Sequence, residues 1–345
     1  MKLLYALTIS LLSFGLWAND GAFYASGGNV FPIKETTVAL SKEFLKLSID
    51  KEYVNVTVHF HFYNPDDDKT LTVGFVTPPR FGDTDPNTQD KSGVEQFTVN
   101  VDGEDLEYRV DQLQEANEEL GYRGGEFLYL FDAKFKKGIT IVKHSYRIKQ
   151  ATLLGVIFYF EYILQTGKTW ANDQIDDFNL EISFDQPTHF SLPADLVEAM
   201  DDRSYDSNNR LASESCSVNN TSVIRGYAQG KSFKFRKRRF KPKTDIRLVL
   251  WQDFMSYYTY SSGERSCDLD KKVVDLLDKK VERKDVRILR NLLFAIHGYE
   301  FKSKDLFDYF SQFYWYYPDP EVKNDPSILN QQERRLLDYL LSFAK

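Results

Sequence analysis

A chain of 345 residues with 42% hydrophobic and 15% aromatic side chains has material for two or three packed domains and falls outside the disordered class. Its 51 acidic and 44 basic residues leave a formal charge of −7, which argues against a general nucleic-acid binder, because such proteins gain affinity by neutralising phosphates. Neither of its two cysteines, Cys216 and Cys267, has a second Cys or a His at ligand spacing, so no metal site is expected on them and no cofactor is expected elsewhere.

Met1-Lys2 gives a short basic start, Leu3 to Leu16 is apolar apart from small Thr and Ser residues, and Ala18 precedes the polar Asn19-Asp20-Gly21. This layout predicts a secretory signal peptide over 1–18. The run is shorter than the roughly 20 residues needed to cross a bilayer, and no later stretch is apolar enough to do so. The mature chain is therefore expected to lack a transmembrane segment and to be exported to the periplasm or beyond. In an oxidising compartment Cys216 and Cys267 are expected to pair, closing a loop of about 50 residues worth roughly 4 kcal/mol on the chain-entropy account.

Residues 19–255 read as strands. Val54, Val56, Val58, Phe60 and Phe62 alternate with Asn55, Thr57, His59, His61 and Tyr63, a period of two that sends one set inward. The polar turn from Asn64 to Lys69 predicts a hairpin whose second strand carries Leu71, Val73 and Phe75. Asp102-Gly103 marks a second hairpin, between Phe97–Val101 and Leu106–Val110, and Lys136-Lys137-Gly138 a third, between Phe127–Phe135 and Ile139–Ile148. Further strands are expected at 156–164, 178–184 and 246–251. Many short strands with few helical patterns predict a mainly β protein, an antiparallel sandwich with room for two subdomains.

Three places in this region could carry function. Trp170 and Asn172, with Gln174, Asp176 and Asp177, fall in a connection where a sugar or peptide could bind, although turn chemistry alone accounts for most of these residue types. His59 and His61 share one strand face and could hold a metal with His144 as third ligand; a polar outer face explains them as well. The third is basic. Lys231, Lys234, Arg236, Lys237, Arg238, Arg239, Lys241, Lys243 and Arg247 are opposed within their own segment only by Asp245. Such a stripe could meet anionic headgroups, cell-wall polymers or an acidic protein, or could protect an edge strand from aggregation.

Residues 256–272 read as a linker and 273–345 as a small three-helix domain. Val273, Leu276, Leu277 and Val281, then Val286, Leu289, Leu293 and Ile296, recur at steps of three and four on one helical stripe. Gly298 fits the position just beyond a helix end. Ser303 is the expected cap of a second helix carrying Leu306, Phe307 and Phe310, and Asp325-Pro326 the expected start of the last.

Two family resemblances emerge. Tyr162-Ile163-Leu164, Thr166-Gly167-Lys168, Trp170-Ala171-Asn172 and Gln174 to Phe178, together with Asn19-Asp20-Gly21, Ala25 to Gly28 and Pro32, resemble secreted bacterial proteins of the DUF4424 type, which implies no activity. The C-terminal part resembles the YARHG domain, a module of extracellular bacterial proteins. Its motif positions read Phe294-Ala295-Ile296-His297-Gly298, preceded by Leu289-Arg290-Asn291 and followed by Tyr299, Phe301 to Leu306, Tyr309-Phe310 and Trp315-Tyr316. Ile296 replaces the motif's arginine, which undercuts any binding role centred there and leaves Arg290, Asn291, His297, Gly298 and Trp315 as structural signatures. The combined expectation is an exported envelope protein that recognises an envelope component or a protein partner without catalysis. The alternatives are a hydrolase of envelope polymers acting through paired carboxylates and an inhibitor or immunity protein.

Overall fold

The computed structural model describes residues 20–26, 29–77, 91–114, 125–153, 157–213, 215–218, 221–229, 232–251 and 270–344. The expected signal peptide, most of the linker, Cys267 and Lys231 lie outside them. The strands are β1 (Asp20–Ser26), β2 (Asn29–Ile33), β3 (Ala39–Ile49), β4 (Tyr53–Asn64), β5 (Lys69–Thr77), β6 (Val94–Val101), β7 (Glu104–Asp105), β8 (Arg109–Gln112), β9 (Phe127–Phe135) and β10 (Gly138–Lys149). There follow β11 (Ala151–Leu153), β12 (Ile157–Tyr162), β13 (Ile175–Phe184), β14 (Thr188–Pro193), the short helix α1 (Ala194–Ala199), β15 (Asp202–Tyr205), β16 (Arg210–Leu211), β17 (Cys216–Val218), β18 (Thr221–Ala228), β19 (Ser232–Phe240) and β20 (Ile246–Trp251).

They form three sheets. An eight-stranded sheet runs β15-β19-β13-β3-β4-β10-β6-β7, and two smaller ones run β2-β1-β5-β9-β8 and β11-β12-β20-β14-β18-β16, with β17 on β18. Pairing is antiparallel except between β3 and β13. The long strands β3, β4 and β10 alternate buried and accessible residues with little interruption, as a sheet packed on one face and solvated on the other requires. Their inner face meets both smaller sheets. Phe75 stacks on Phe97 at 5.2 Å and Phe62 meets the edge of Phe135 at 5.4 Å on one side; Phe184 and Phe190 stack at 5.1 Å on the other. One continuous apolar core results.

Two expected hairpins are something else. β4 pairs with β3 and β10, whereas β5 pairs with β1 and β9. The turns after Asn64 and after Phe135 therefore carry the chain from one sheet to the facing sheet. Asn64, buried, holds the two crossings together by donating from its amide to the carbonyls of Asp67 and Phe135 at 3.0 and 3.1 Å. The Asp102-Gly103 hairpin does form, with both residues at positive φ, but its return strand is only β7, and the chain then crosses to pair β8 with β9.

The C-terminal helices are α2 (Asp270–Leu277), α3 (Val286–Ala295), α4 (Lys304–Ser311) and α5 (Gln331–Leu341). Among the described residues four helices thus stand where three were expected. The stripe from Val273 to Ile296 breaks because 278–285 offers only Val281 to a core, and Lys279 takes a left-handed φ of 57°. Asp325 caps only a short 3₁₀ turn at Pro326–Ile328, accepting from the Ser327 N–H. α5 instead begins after Asn330, whose side chain accepts the Glu333 N–H while the Glu333 carboxylate accepts the Asn330 N–H, the reciprocal capping box. The helices bury a second apolar cluster that includes Trp251 and, half-buried, Val249 of β20. The molecule is thereby layered: large sheet, β20-containing sheet, helices.

Candidate functional site

The His297-Gly298 corner is built from backbone geometry outward. α3 ends at Ala295, and Gly298 turns the chain at φ 85°. A Cβ there would lie 2.8 Å from the Tyr317 carbonyl oxygen, and the Asp319 N–H donates to the Gly298 carbonyl at 2.8 Å. Only glycine meets both conditions without strain. His297 reaches the start of α5, its Nε2 lying 2.8 Å from Glu333 Oε2. Glu333 is 1% exposed and already caps that helix, so the pair ties the end of α3 to the beginning of α5. Trp315 is buried, stacked on Phe313 at 5.4 Å, and Asn291 donates back to the Arg287 carbonyl within α3. These motif residues hold the module together.

Trp170 is 0% exposed, wedged against Phe62 at 4.4 Å between ring centroids and near Phe135. Its ring offers no surface to a ligand. The Asn172 amide donates to the Leu40 carbonyl and its oxygen accepts the Leu40 N–H, which pins the loop to β3 as a strand continuation would. Asp176 accepts from Asn172 and Gln174 at 3.1 and 2.6 Å. Burial alone would raise the Asp177 carboxyl, but the Arg236 guanidinium, contacting it at 2.8 and 3.1 Å, outweighs that and holds it below the usual carboxylate range.

The basic strand β19 lies between β13 and β15, inside the large sheet. Phe233 and Phe235 face the core. Lys234 meets Glu181 at 3.7 Å, Arg236 meets Asp177, and Lys237 meets Asp201 at 2.6 Å. Asp245, the one acid in the segment, neutralises none of them: it turns inward, where it accepts the Leu164 and Gln165 N–H groups and the Gln165 amide. Burial pushes its carboxyl up against those hydrogen bonds. Arg238, Arg239, Lys241 and Lys243 are exposed at the end of β19, and their side chains enter no ion pair among the described residues.

His59 and His61 lie on the outer face of β4, while His144 is buried on the inner face among Phe60, Phe97 and Phe131. A sheet separates the proposed third ligand from the other two, and no group of three or more candidate metal ligands occurs among the described residues.

Open clefts occur among the described residues. One of about 300 Å³ lies at one end of the sandwich, lined by Ile49, Asp50, Gln150, Phe158, Asp185 and Trp251 among others. Its Asp50 is engaged: the Glu52 and Tyr53 N–H groups and the Asn55 amide outweigh partial burial and hold its carboxyl low. The second, of about 510 Å³, lies in the helical module between 299–302 and 320–324.

Sequence reasoning missed the seam between the sandwich and the helices. The Arg225 guanidinium lies 5.7 Å from the Tyr314 ring, Arg210 lies 5.4 Å from Tyr317, and the Tyr317 hydroxyl donates to Asn208 at 3.2 Å. His189 lies parallel to Trp251 at 6.0 Å; burial, reinforced by the Arg225 charge, pushes its imidazole down to about 3. Nothing in the spacing of these residues announces that they converge. Glu333 was findable, since Asn330-x-x-Glu333 is a capping-box pattern.

Comparison with known proteins bears directly on the C-terminal motif geometry. Residues 269–345 match the YARHG domain. Residues 18–119 match the Domain of unknown function DUF4424; these are the two families named from sequence motifs, with the Tyr162 to Phe178 motif lying outside the matched span. YARHG domains occur in secreted proteins, and among the described residues no helix is long and apolar enough to cross a membrane. No curated protein matches the chain in sequence. Among solved structures, a candidate nutrient binding protein from Legionella pneumophila superposes with a TM-score of 0.60 at 18% identity, over 95% of this chain and 98% of that one; at that identity the likeness shows the fold. An M1 zinc metallopeptidase from Deinococcus radiodurans aligns at a TM-score of 0.30 and 6% identity, over 64% of this chain and 44% of that one, and carries no argument about this chain.

Proposed function

We propose that the protein is an exported, periplasmic component of a bacterial envelope, and that it recognises an acidic envelope component or protein partner without catalysis. The observation that carries this reading is the exposed corner of Arg238, Arg239, Lys241 and Lys243, four cations without ion-pair partners among the described residues of a chain whose net charge is −7. Like charges held together unpaired at a surface repel, and an acidic partner relieves that repulsion and steers its own approach. The nutrient-binding description of the Legionella neighbour fits a binding role.

The same reading divides the chain into a leader (1–18), a β region (19–255), a linker (256–272) and a helical domain (273–345). A Cys216–Cys267 bridge belongs to it as well, tying β17 to the linker; no free cysteine occurs among the described residues. The hydrolase alternative has less support, because Asp176 and Asp177 are engaged by Asn172, Gln174 and Arg236.

The test is capture from envelope extract with the full mature protein. Replacing Arg238, Arg239, Lys241 and Lys243 with Gln should abolish capture at low salt while leaving the circular dichroism spectrum unchanged. Capture that survives the four replacements would overturn the reading.

A further inference from the structure

The corner at the end of β19 continues onto a larger surface that the sequence did not single out. Register places Arg238, Asp177, Lys42 and His61 in one cross-strand row on the outer face of the large sheet, and Arg236, Asn179, Phe44, His59 and Lys143 in the next. Lys234, Glu181 and Lys46 begin a third row. On the outer face of β19, β13, β3, β4 and the middle of β10, six cations (Lys42, Lys46, Lys143, Lys234, Arg236, Arg238) meet two acids, Asp177 and Glu181, with Asp202 of β15 at the margin.

The acids are shared. Asp177 lies 4.0 Å from Lys42 as well as contacting Arg236, and Glu181 lies 3.4 Å from Lys46 and 3.7 Å from Lys234. Lys143 is exposed and has no ion-pair partner among the described residues. The charge surplus therefore sits where β3, β4 and β10 carry Lys42, His59, His61 and Lys143 around the half-buried Phe44, whose ring lies 6.2 Å from that of His59. Hydroxyls and amides surround them: Ser48, Asn55, Thr57, Thr98 and Ser145 lie on the same face.

We propose that this face binds an extended anionic glycan of the envelope, laid across the strands, with its phosphates on Lys42, Lys143 and the β19 cations and a sugar ring against Phe44. Three features select this occupant. The face is cationic in an acidic chain, so the ligand is anionic. The strands are about 4.8 Å apart, so Lys143 and Arg236, four strands apart, are separated by about 19 Å, a span that suits a polymer and exceeds a single phosphate. The face is hydroxyl-rich and carries accessible aromatic rings, Phe44 at its middle and the exposed Tyr63 at the end of β4, a surface for the polar rim and apolar face of a sugar.

The two histidines report on the same field. Burial and then the Lys143 charge lower His59, and burial followed by Lys42 and Lys143 lowers His61. The charged groups flanking them on β3 are Lys42 and Lys46 and on β10 Lys143, with Asp177 and Glu181 one strand further. An anion bound here would reverse the repulsion and raise both imidazoles, and by linkage its own affinity would rise as pH falls.

This inference rests on the binding reading above but is tested apart from it. The full mature protein would be titrated calorimetrically with phosphorylated lipopolysaccharide core oligosaccharide, with the same oligosaccharide after dephosphorylation, and with inorganic phosphate. Expected are saturable binding of the phosphorylated form alone, about threefold tighter at pH 5.5 than at pH 7.5, a loss of at least about tenfold in Lys42→Gln/Lys143→Gln, and His59 and His61 imidazole resonances that titrate at higher pH in the complex. Equal binding of the dephosphorylated glycan, equal affinity for inorganic phosphate, or wild-type affinity in the double variant would each overturn it. If envelope capture depends on the Arg238 to Lys243 corner while Lys42→Gln/Lys143→Gln binds normally, the inference fails and the binding reading stands; if the glycan binds through Lys42 and Lys143 while capture ignores the corner, the reverse holds.

Discussion

The His297-Gly298 corner and the outer face of the large sheet use polar residues in opposite ways. At the corner, polar groups are fastened to backbone: the Tyr316 hydroxyl donates to the Tyr299 carbonyl, the Asp319 N–H donates to the Gly298 carbonyl, and even the side-chain pair His297–Glu333 is anchored by a carboxylate that also accepts the Asn330 N–H. On the outer face side chains answer side chains across strands, in solvent-facing pairs such as Lys46–Glu181 and Lys234–Glu181, where exposed lysine heads share a half-buried carboxylate. Groups fastened to backbone hold the fold. Exposed cross-strand pairs contribute roughly 0–1 kcal/mol each and leave their charges free to be re-partnered. The His297-Gly298 corner of the motif is thus spent on structure, and what the motif leaves open to a ligand is the cleft beside it at 299–302.

Substitution can break or sharpen that contrast. The largest effect should come from Gly298→Ala, where a positive φ and a 2.8 Å approach to the Tyr317 carbonyl act together. A loss of about 3 kcal/mol is expected in urea unfolding, and a loss below about 0.5 kcal/mol would remove the structural account of the motif. Next is the seam beneath the helices. His189 titrates near 3 in the folded protein and near 6.5 when unfolded, so below that upper value the unfolded chain binds more protons and stability falls with pH. Between pH 8 and pH 5 the folded state should lose about 2 kcal/mol more in the wild type than in His189→Phe; parallel pH profiles for the two would contradict a buried neutral imidazole. Smallest should be Lys42→Gln/Lys143→Gln, within about 0.5 kcal/mol of wild type. A larger destabilisation would mean that the outer face holds structure after all.

Much of the fold could be read from residue patterns. Alternation over Val54 to Phe62 and over 139–148 located β4 and β10 because one face of each is buried along nearly its whole length. Partner choice could not be read the same way. A polar turn between two alternating strands looks alike whether the chain folds back within one sheet or crosses to the facing one, so β4–β5 and β9–β10 were expected as hairpins. What decides between them is a contact such as that of Asn64 with the Phe135 carbonyl, 71 residues away. The basic segment was legible as charge, but its neutralising partners Asp177, Glu181 and Asp201 come from other strands and loops. Lys42 and Lys143 drew no notice because each is an outward lysine in an ordinary alternating strand; only the register sets them either side of His59 and His61. Trp170 announced itself as an unusual residue in a polar loop, and its complete burial follows from the aromatic gap that Phe62 and Phe135 leave on facing sheets.

The paired crossings after Asn64 and Phe135 also govern the order in which the protein can assemble. A sandwich made of hairpins can grow from neighbours in sequence, one tight turn at a time. Here β4 finds β10 only when residues 74 to 96 positions apart meet, and β5 finds β9 across 50 to 66 positions, so the entropy of closing long loops must be met before either pairing contributes. The two pairings are geometrically one event, since seating either crossing places the other beside it. The large sheet and its β5–β9 neighbour should therefore form together and late, with Asn64 as the latch that closes once both turns are in place.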